Sequence, residues 1–287
     1  MTPLIQLGGA VLLLGSAWPL TRYAVLQGAG STWFALGRAG FSGLAAFIVL
    51  GALGRLRWPG WRDTPALLAL GVFQLAGYFA LAHAAVAWVP AGRISILANA
   101  ALIPAVPLSM LVLHEAVPPR RWLAAGLGLL GVLVLIGPWA IDWTAPHILA
   151  GNIMLLGAAT CWALAIVLIR RWPPPMGLSA LLPWGFALAS VLLSPLALSH
   201  ATGHWAPPAL WILAAIGFVA GPVGTWCVMG AQQGLPVVVS GVGFLLIPAL
   251  GVVLSALWLG EPLTGDVIAG AGLILGGAGI AVTGRRS

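Results

Sequence analysis

The sequence predicts an all-α integral membrane protein whose ten transmembrane helices form two inverted five-helix repeats. Three observations predict it. First, 61% of the 287 residues are hydrophobic and only 6% are charged, against about 25% charged in a soluble domain. Such a chain cannot cover a water-facing surface, which excludes a soluble enzyme, a nucleic-acid-binding domain and a disordered protein. Second, the apolar residues fall into runs of about 20, the length needed to cross a bilayer. Third, the chain repeats itself at an offset of 144–146 residues.

The spans, in order, are 4–26, 32–53, 65–88, 91–113, 121–138, 148–170, 177–198, 209–231, 236–258 and 263–283. The first has no basic leader and is too long for a cleaved signal peptide. Gly28-Ala29-Gly30-Ser31 closes it, and Gly54-Arg55-Leu56-Arg57-Trp58-Pro59-Gly60 closes the second. Val89-Pro90-Ala91-Gly92 separates the third from the fourth, and Val117-Pro118-Pro119-Arg120-Arg121 the fourth from the fifth. Pro173-Pro174-Pro175 ends the sixth, because consecutive prolines cannot continue a helix. The loops are short, and no soluble domain fits between the spans.

Orientation follows from the arginines, since cytoplasmic loops collect them. There are twelve, and no lysine. Arg55, Arg57, Arg62, Arg120, Arg121, Arg170, Arg171, Arg285 and Arg286 fall on the N-terminal side, whereas Arg22, Arg38 and Arg93 fall at or near helix ends on the other. Both termini are therefore expected in the cytoplasm, which requires an even number of spans. The net charge of +7 is read as this bias and implies no nucleic-acid partner. Most of the 15 tryptophans sit near span ends, where aromatic belts form. Trp18, Trp162, Trp184 and Trp226 lie well inside their spans and need another explanation.

At an offset of 146, Gly71 aligns with Gly217, Pro90 with Pro236, Ser109 with Ser255, Gly126 with Gly272 and Gly131 with Gly277. Glu115 and Glu261, the only two glutamates, align as well, and Trp18 aligns with Trp162 at 144. Each repeat, 1–145 and 146–287, holds five spans. Five is odd, so the second copy enters the membrane from the opposite side. Inverted repeats of this kind are the signature of secondary transporters, with the substrate near the midplane between the halves.

The stretch Leu259 to Thr264 (L-G-E-P-L-T) before a glycine-rich last helix, its weaker copy Leu113-His114-Glu115-Ala116-Val117-Pro118, and Ala35-Leu36-Gly37-Arg38 resemble the EamA family of the drug/metabolite transporter superfamily. The resemblance covers essentially the whole chain and is similar in particular to the bacterial aromatic amino acid exporters. It implies export of amino acids and related metabolites across the inner membrane. The family's proline, thirteen residues before the glutamate, is Pro248 in the second half; Leu102 stands there in the first, with Pro104 and Pro107 displaced.

Several residues are candidates for transport. Glu115 and Glu261 each precede a helix and suit its positive N-terminus, a structural role. Intramembrane polar groups cost free energy in lipid and face cavities or partners. Gln74 and Tyr78 lie at i and i+4 on the third span, with His83 further round; Ser95 and Asn99 do the same on the fourth. Arg38 either snorkels to the outer interface or holds a substrate carboxylate. A cavity lined by Trp18, Tyr78, Trp162 and Trp226 suits apolar and aromatic side chains, with Trp184 a weaker member. Pro19 bends the first span, and Pro104 or Pro107 with Pro248 are expected hinges.

Three classes compete: metabolite transporter, intramembrane enzyme and receptor-like protein. No nucleophile, base or metal motif supports the enzyme, no metal or cofactor is expected, and a receptor needs no inverted repeat. Among substrates, nucleotide sugars need several basic groups and cationic drugs need an embedded carboxylate. Amino acids with apolar side chains fit best; proton-coupled efflux of drugs or of sugar or nucleotide metabolites is the alternative. All five acids (Asp63, Glu115, Asp142, Glu261, Asp266) lie in loops or at helix ends. Facilitated diffusion is therefore expected, His83 being the one group well inside a span that titrates near neutrality in its reference state. The scheme needs the substrate and the lipid bilayer as partners and is compatible with a monomer.

Overall fold

A computed structural model describes residues 2–114, 116–136 and 146–283, which form helices joined by short turns. Among the described residues, nine helices are long and apolar enough to cross a membrane: α1 Pro3–Leu26, α2 Ser31–Ala52, α3 Trp61–Val86, α4 Ala91–Leu113, α5 Pro119–Ile136, α6 His147–Arg171, α7 Leu178–Leu198, α8 Pro207–Gln232 and α9 Val239–Leu259. A tenth apolar helix, α10 Gly265–Thr283, follows. Observed ends fall within a few residues of the expected ones, except that α3 starts with a single 3-10 turn at Trp61–Asp63. The expected boundary between the halves at 145/146 falls at the edge of a segment outside the described residues, and Asp142, Arg285 and Arg286 lie outside them.

The packing follows the 146-residue offset. α2 packs on α7, α5 on α10 and α4 on α9, while α1 packs on α8 and α6 on α3. Each of these pairings maps onto itself or onto another when the halves exchange. The closest pair is α5 with α10. A Cβ on Gly131 would stand 2.7 Å from the Gly270 carbonyl, and one on Gly277 would stand 2.6 Å from the Ala124 carbonyl. The offset carries Gly131 to Gly277 and Ala124 to Gly270, so the two contacts are reciprocal. Only a missing side chain lets the backbones approach this closely. Gly131→Leu is therefore expected to separate α5 from α10; a loss of monodisperse protein on size-exclusion chromatography, absent in Gly126→Leu, checks it, since nothing lies within 4 Å of a Cβ at Gly126.

Local irregularities repeat too. A π-helical stretch begins at Ala69 in α3 and another at Ala215 in α8. Left-handed caps end α4 at His114 and α9 at Gly260. α4 is interrupted over Ala98–Ala101 and α9 at Leu245. Pro104 and Pro248 each stand third in the segment after the interruption, Leu102–Leu113 and Leu246–Leu259. Proline is tolerated in a first turn, where its N–H would have no helical partner. Pro107 lies inside its segment without breaking it. α1 is interrupted at Ser16, one turn before Pro19, whose missing N–H leaves the Gly15 carbonyl without its helical donor.

The end of the bundle assigned to the outside by the arginine distribution is called the outer end. At that end the segment Ala91–Leu97 of α4 packs on Leu246–Leu259 of α9. Beyond the interruptions the two helices part: Leu102–Leu113 turns to α5 and α6, whereas Val237–Phe244 turns to α1 and α10. A wedge thus opens towards the inner end, with its apex at the repeat-related breaks. At the inner end, Asp63 is buried and accepts the Gly60 N–H at 2.8 Å and the Met176 N–H at 3.1 Å. It ties the start of α3 to the turn before α7.

Candidate functional site

The site is built from three helices of the first half and one of the second. Trp18 follows the break in α1, and Phe34 and Arg38 lie one turn apart on α2. Tyr78, Phe79 and His83 lie where the π-helical stretch of α3 returns to α-helix, and Trp162 lies on α6. Arg38 is seven residues into α2, about 10 Å along its axis at 1.5 Å per residue.

The rings form a continuous file. Trp205, in the loop before α8, stacks on Phe34 at 6.3 Å between centroids, and Phe34 stacks on His83 at 6.0 Å. His83 contacts Trp18 at 5.3 Å and Phe79 at 5.4 Å. Trp18 then meets Tyr78 at 6.2 Å, and Tyr78 meets Trp162 edge-on at 4.9 Å. The file runs from an outer loop to the middle of the bundle. It joins the repeat-related tryptophans of the two halves through one tyrosine.

Arg38 sits among these rings. Its Cζ lies 4.8 Å from the Phe79 ring centre and 5.6 Å from that of Trp18, a distance at which the ring faces attract a cation. The side chain is 9% exposed, so it does not snorkel to the interface. Its Nε and Nη1 are buried and have no hydrogen-bond partner, and no carboxylate among the described residues pairs with it. An unpaired buried guanidinium is costly, and a chain retains such a group where a ligand completes it. His83 is fully buried, with Nδ1 2.9 Å from the Phe79 carbonyl and Nε2 unpartnered. Gln74, within the π-helical stretch of α3, leaves its Oε1 buried and unpaired.

Asn99 is exposed at the break in α4, where its Nδ2 donates to the Ser95 carbonyl at 2.7 Å. Ser95 shares that face and abuts Gly251 of α9, so Asn99 sits at the apex of the wedge between the halves. Trp226 does not join the file. It is 50% exposed and shares its face with the exposed Val219 and Val223, the outer surface of α8. Trp184 also stands apart, packing on Phe47 and Trp58 and donating to the Arg57 carbonyl at 2.9 Å. Of the residues expected to line a cavity, the file thus brings together Trp18, Tyr78 and Trp162.

The outer end is closed by contacts between the halves. Glu261 accepts the Ala91 N–H at 2.8 Å and the Gly92 N–H at 3.1 Å. It caps α4 of the opposite half, a correction to the expectation that it would serve the helix following it. The carboxylate also lies 4.0 Å from Arg22 Nε, and Arg22 donates to the Val86 carbonyl. Arg93 pairs with Asp266 at 2.5 Å, and the loop at Ala29 bridges that at Gly203. The cavity beside Glu261, about 100 Å³, is well under the roughly 300–1,000 Å³ of small-molecule sites and reads as a gap in this closure. Glu115 lies outside the described residues, and Arg120 donates to the Ile280 carbonyl at 3.1 Å.

Phe34, Phe79 and Asn152 were not singled out from the sequence. Phe34 and Phe79 precede Arg38 and His83 by one helical turn, a spacing that places each pair on one face. Asn152, fully buried in α6 with both amide atoms unpartnered, was marked only by being polar inside a span.

An all-helical bundle with halves related by a fixed offset, closed at one end and parted at the other, is the architecture of a membrane transporter. The chain matches the EamA-like transporter family over residues 2–137 and again over 149–283; it belongs to that family. It is similar to a probable amino-acid metabolite efflux pump of Salmonella typhimurium, at 30% identity over 77% of each chain. It is also 28% identical to a probable terminal-alkyne amino-acid exporter of Streptantibioticus cattleyicolor, over 96% of this chain and 91% of that one. An uncharacterized transporter of Bacillus subtilis is 27% identical over 87% of this chain and 80% of its own. Among the solved structures with this fold is a crystal structure with a TM-score of 0.67 at 21% identity, covering 99% of this chain and 96% of the other.

Proposed function

We propose that this protein exports amino acids with aromatic or other apolar side chains across the bacterial inner membrane. The two halves, 1–145 and 146–287, alternate the side to which the site opens, with both termini in the cytoplasm. The observation that carries this reading is Arg38: a buried guanidinium with two unpaired donors, walled by Trp18, Phe79, Tyr78 and His83. The carboxylate of an amino acid satisfies the donors, and the aromatic file takes an apolar side chain. The names of the Salmonella and Streptantibioticus relatives support the substrate class. The wedge between α4 and α9 is the inward-facing passage, and the breaks before Pro104 and Pro248 are the hinges at which it closes.

The carrier is a facilitative uniporter. Asp63, Glu261 and Asp266 are engaged at the ends of the bundle, so no described carboxylate is placed to exchange a proton for substrate. Proteoliposomes preloaded with unlabelled phenylalanine should take up labelled phenylalanine by counterflow with no ion gradient or membrane potential imposed. An imposed pH gradient or membrane potential should leave the equilibrium level unchanged. Accumulation above that level, lost in His83→Ala, would reject uniport and make His83 a proton carrier.

A further inference from the structure

The tautomer of His83 can be read from its partners. Nδ1 lies 2.9 Å from the Phe79 carbonyl oxygen, which only accepts hydrogen bonds, so Nδ1 carries the proton. A second proton on Nε2 would place a cation beside unpaired Arg38 with no described carboxylate to offset it. Nε2 therefore presents a lone pair, buried and unused. His83 and Arg38 share two walls: His83 lies 5.3 Å from Trp18 and 5.4 Å from Phe79, and the Arg38 Cζ lies 5.6 Å and 4.8 Å from the same rings. The same two rings thus flank unpaired donors on a cation and an unpaired acceptor on a neutral ring. A carboxylate matches the first and an ammonium N–H matches the second, which is the polar pattern of an α-amino acid.

We propose that His83 determines specificity by accepting a hydrogen bond from the substrate's α-ammonium group at Nε2 while Arg38 holds the carboxylate, so that the site selects zwitterions over their deaminated acids. This rests on the amino-acid reading above and adds to it a residue and a class of rejected compounds. A site built to hydrogen-bond a substrate group discriminates strongly against analogues lacking it, because its own polar atom is left unpaired.

The test is equilibrium binding of two probes, L-phenylalanine and 3-phenylpropionate, to the purified full-length protein in detergent by calorimetry. The wild type is expected to prefer phenylalanine at least tenfold. His83→Phe keeps a ring in the stack and removes the acceptor; it should weaken phenylalanine about tenfold and leave 3-phenylpropionate within twofold, erasing the preference. His83→Gln, which restores an acceptor, should recover most of it. Equal weakening of both probes in His83→Phe, or an unchanged ratio, would overturn the proposal and leave the amino-acid reading standing. Should His83→Phe fail to fold, a wild-type preference under threefold overturns it by itself. A wild type that binds 3-phenylpropionate but not phenylalanine overturns both readings.

Discussion

Replacing Arg38 with Gln is expected to cut amino acid uptake about 100-fold, equivalent to about 3 kcal/mol of lost interaction with the substrate carboxylate. Arg38→Lys should recover part of the loss, since it keeps the charge but not the two-pronged donor geometry. The fold should respond in the opposite sense. Arg38 is buried with two unpaired donors, so the neutral variant is expected to melt at the same or a higher temperature. This separates a ligand-binding role from a structural one: a purely structural arginine would lose stability and transport together. Uptake assays and thermal melting of the three proteins provide the measurement.

The second large effect is at Glu261. Its carboxylate caps the first two N–H groups of α4 and stands against Arg22, holding an α9–α10 loop of one half to α1 and α4 of the other. Glu261→Ala leaves these N–H groups without acceptors, at a cost of about 1–3 kcal/mol. That cost falls on the outer-closed arrangement alone, and 1.4 kcal/mol changes a population tenfold. A cysteine placed at Ser95, which is buried between α4 and α9, should then react with a maleimide about tenfold faster than in the Glu261 protein. Cys161 and Cys227 are first replaced by alanine. Equal rates would show that the outer end is held by its other contacts, among them Arg93–Asp266 and the Ala29–Gly203 bridge.

Composition and run length were sufficient for the helices, because a bilayer imposes one length on every span. The offset aligned Gly131 with Gly277 in sequence, and the structure gives the two glycines reciprocal close contacts, with Gly270 and Ala124, since small residues at a close crossing leave a direct mark on sequence. The site was partly legible: Trp18, Tyr78, Trp162, His83 and Arg38 converge, each an expensive or bulky group in mid-span. Phe34 and Phe79 escaped notice because an apolar ring facing the site reads the same as one facing lipid. Trp226 was misassigned for the same reason, its exposed face being indistinguishable in sequence from a lining one. Two losses are physical rather than informational. The π-helical stretches are too short for their wider turn to show as a period in sequence, and the cap that Glu261 supplies to Ala91 spans 170 positions, too far for a spacing rule to reach.

The most direct test of the account is uptake by proteoliposomes containing only this protein, screened with the twenty labelled amino acids. The account predicts saturable uptake of phenylalanine, tryptophan and other apolar amino acids, abolished by Arg38→Gln and absent for sugars and nucleotides. Failure of every amino acid to enter, or uptake that Arg38→Gln leaves intact, would contradict it.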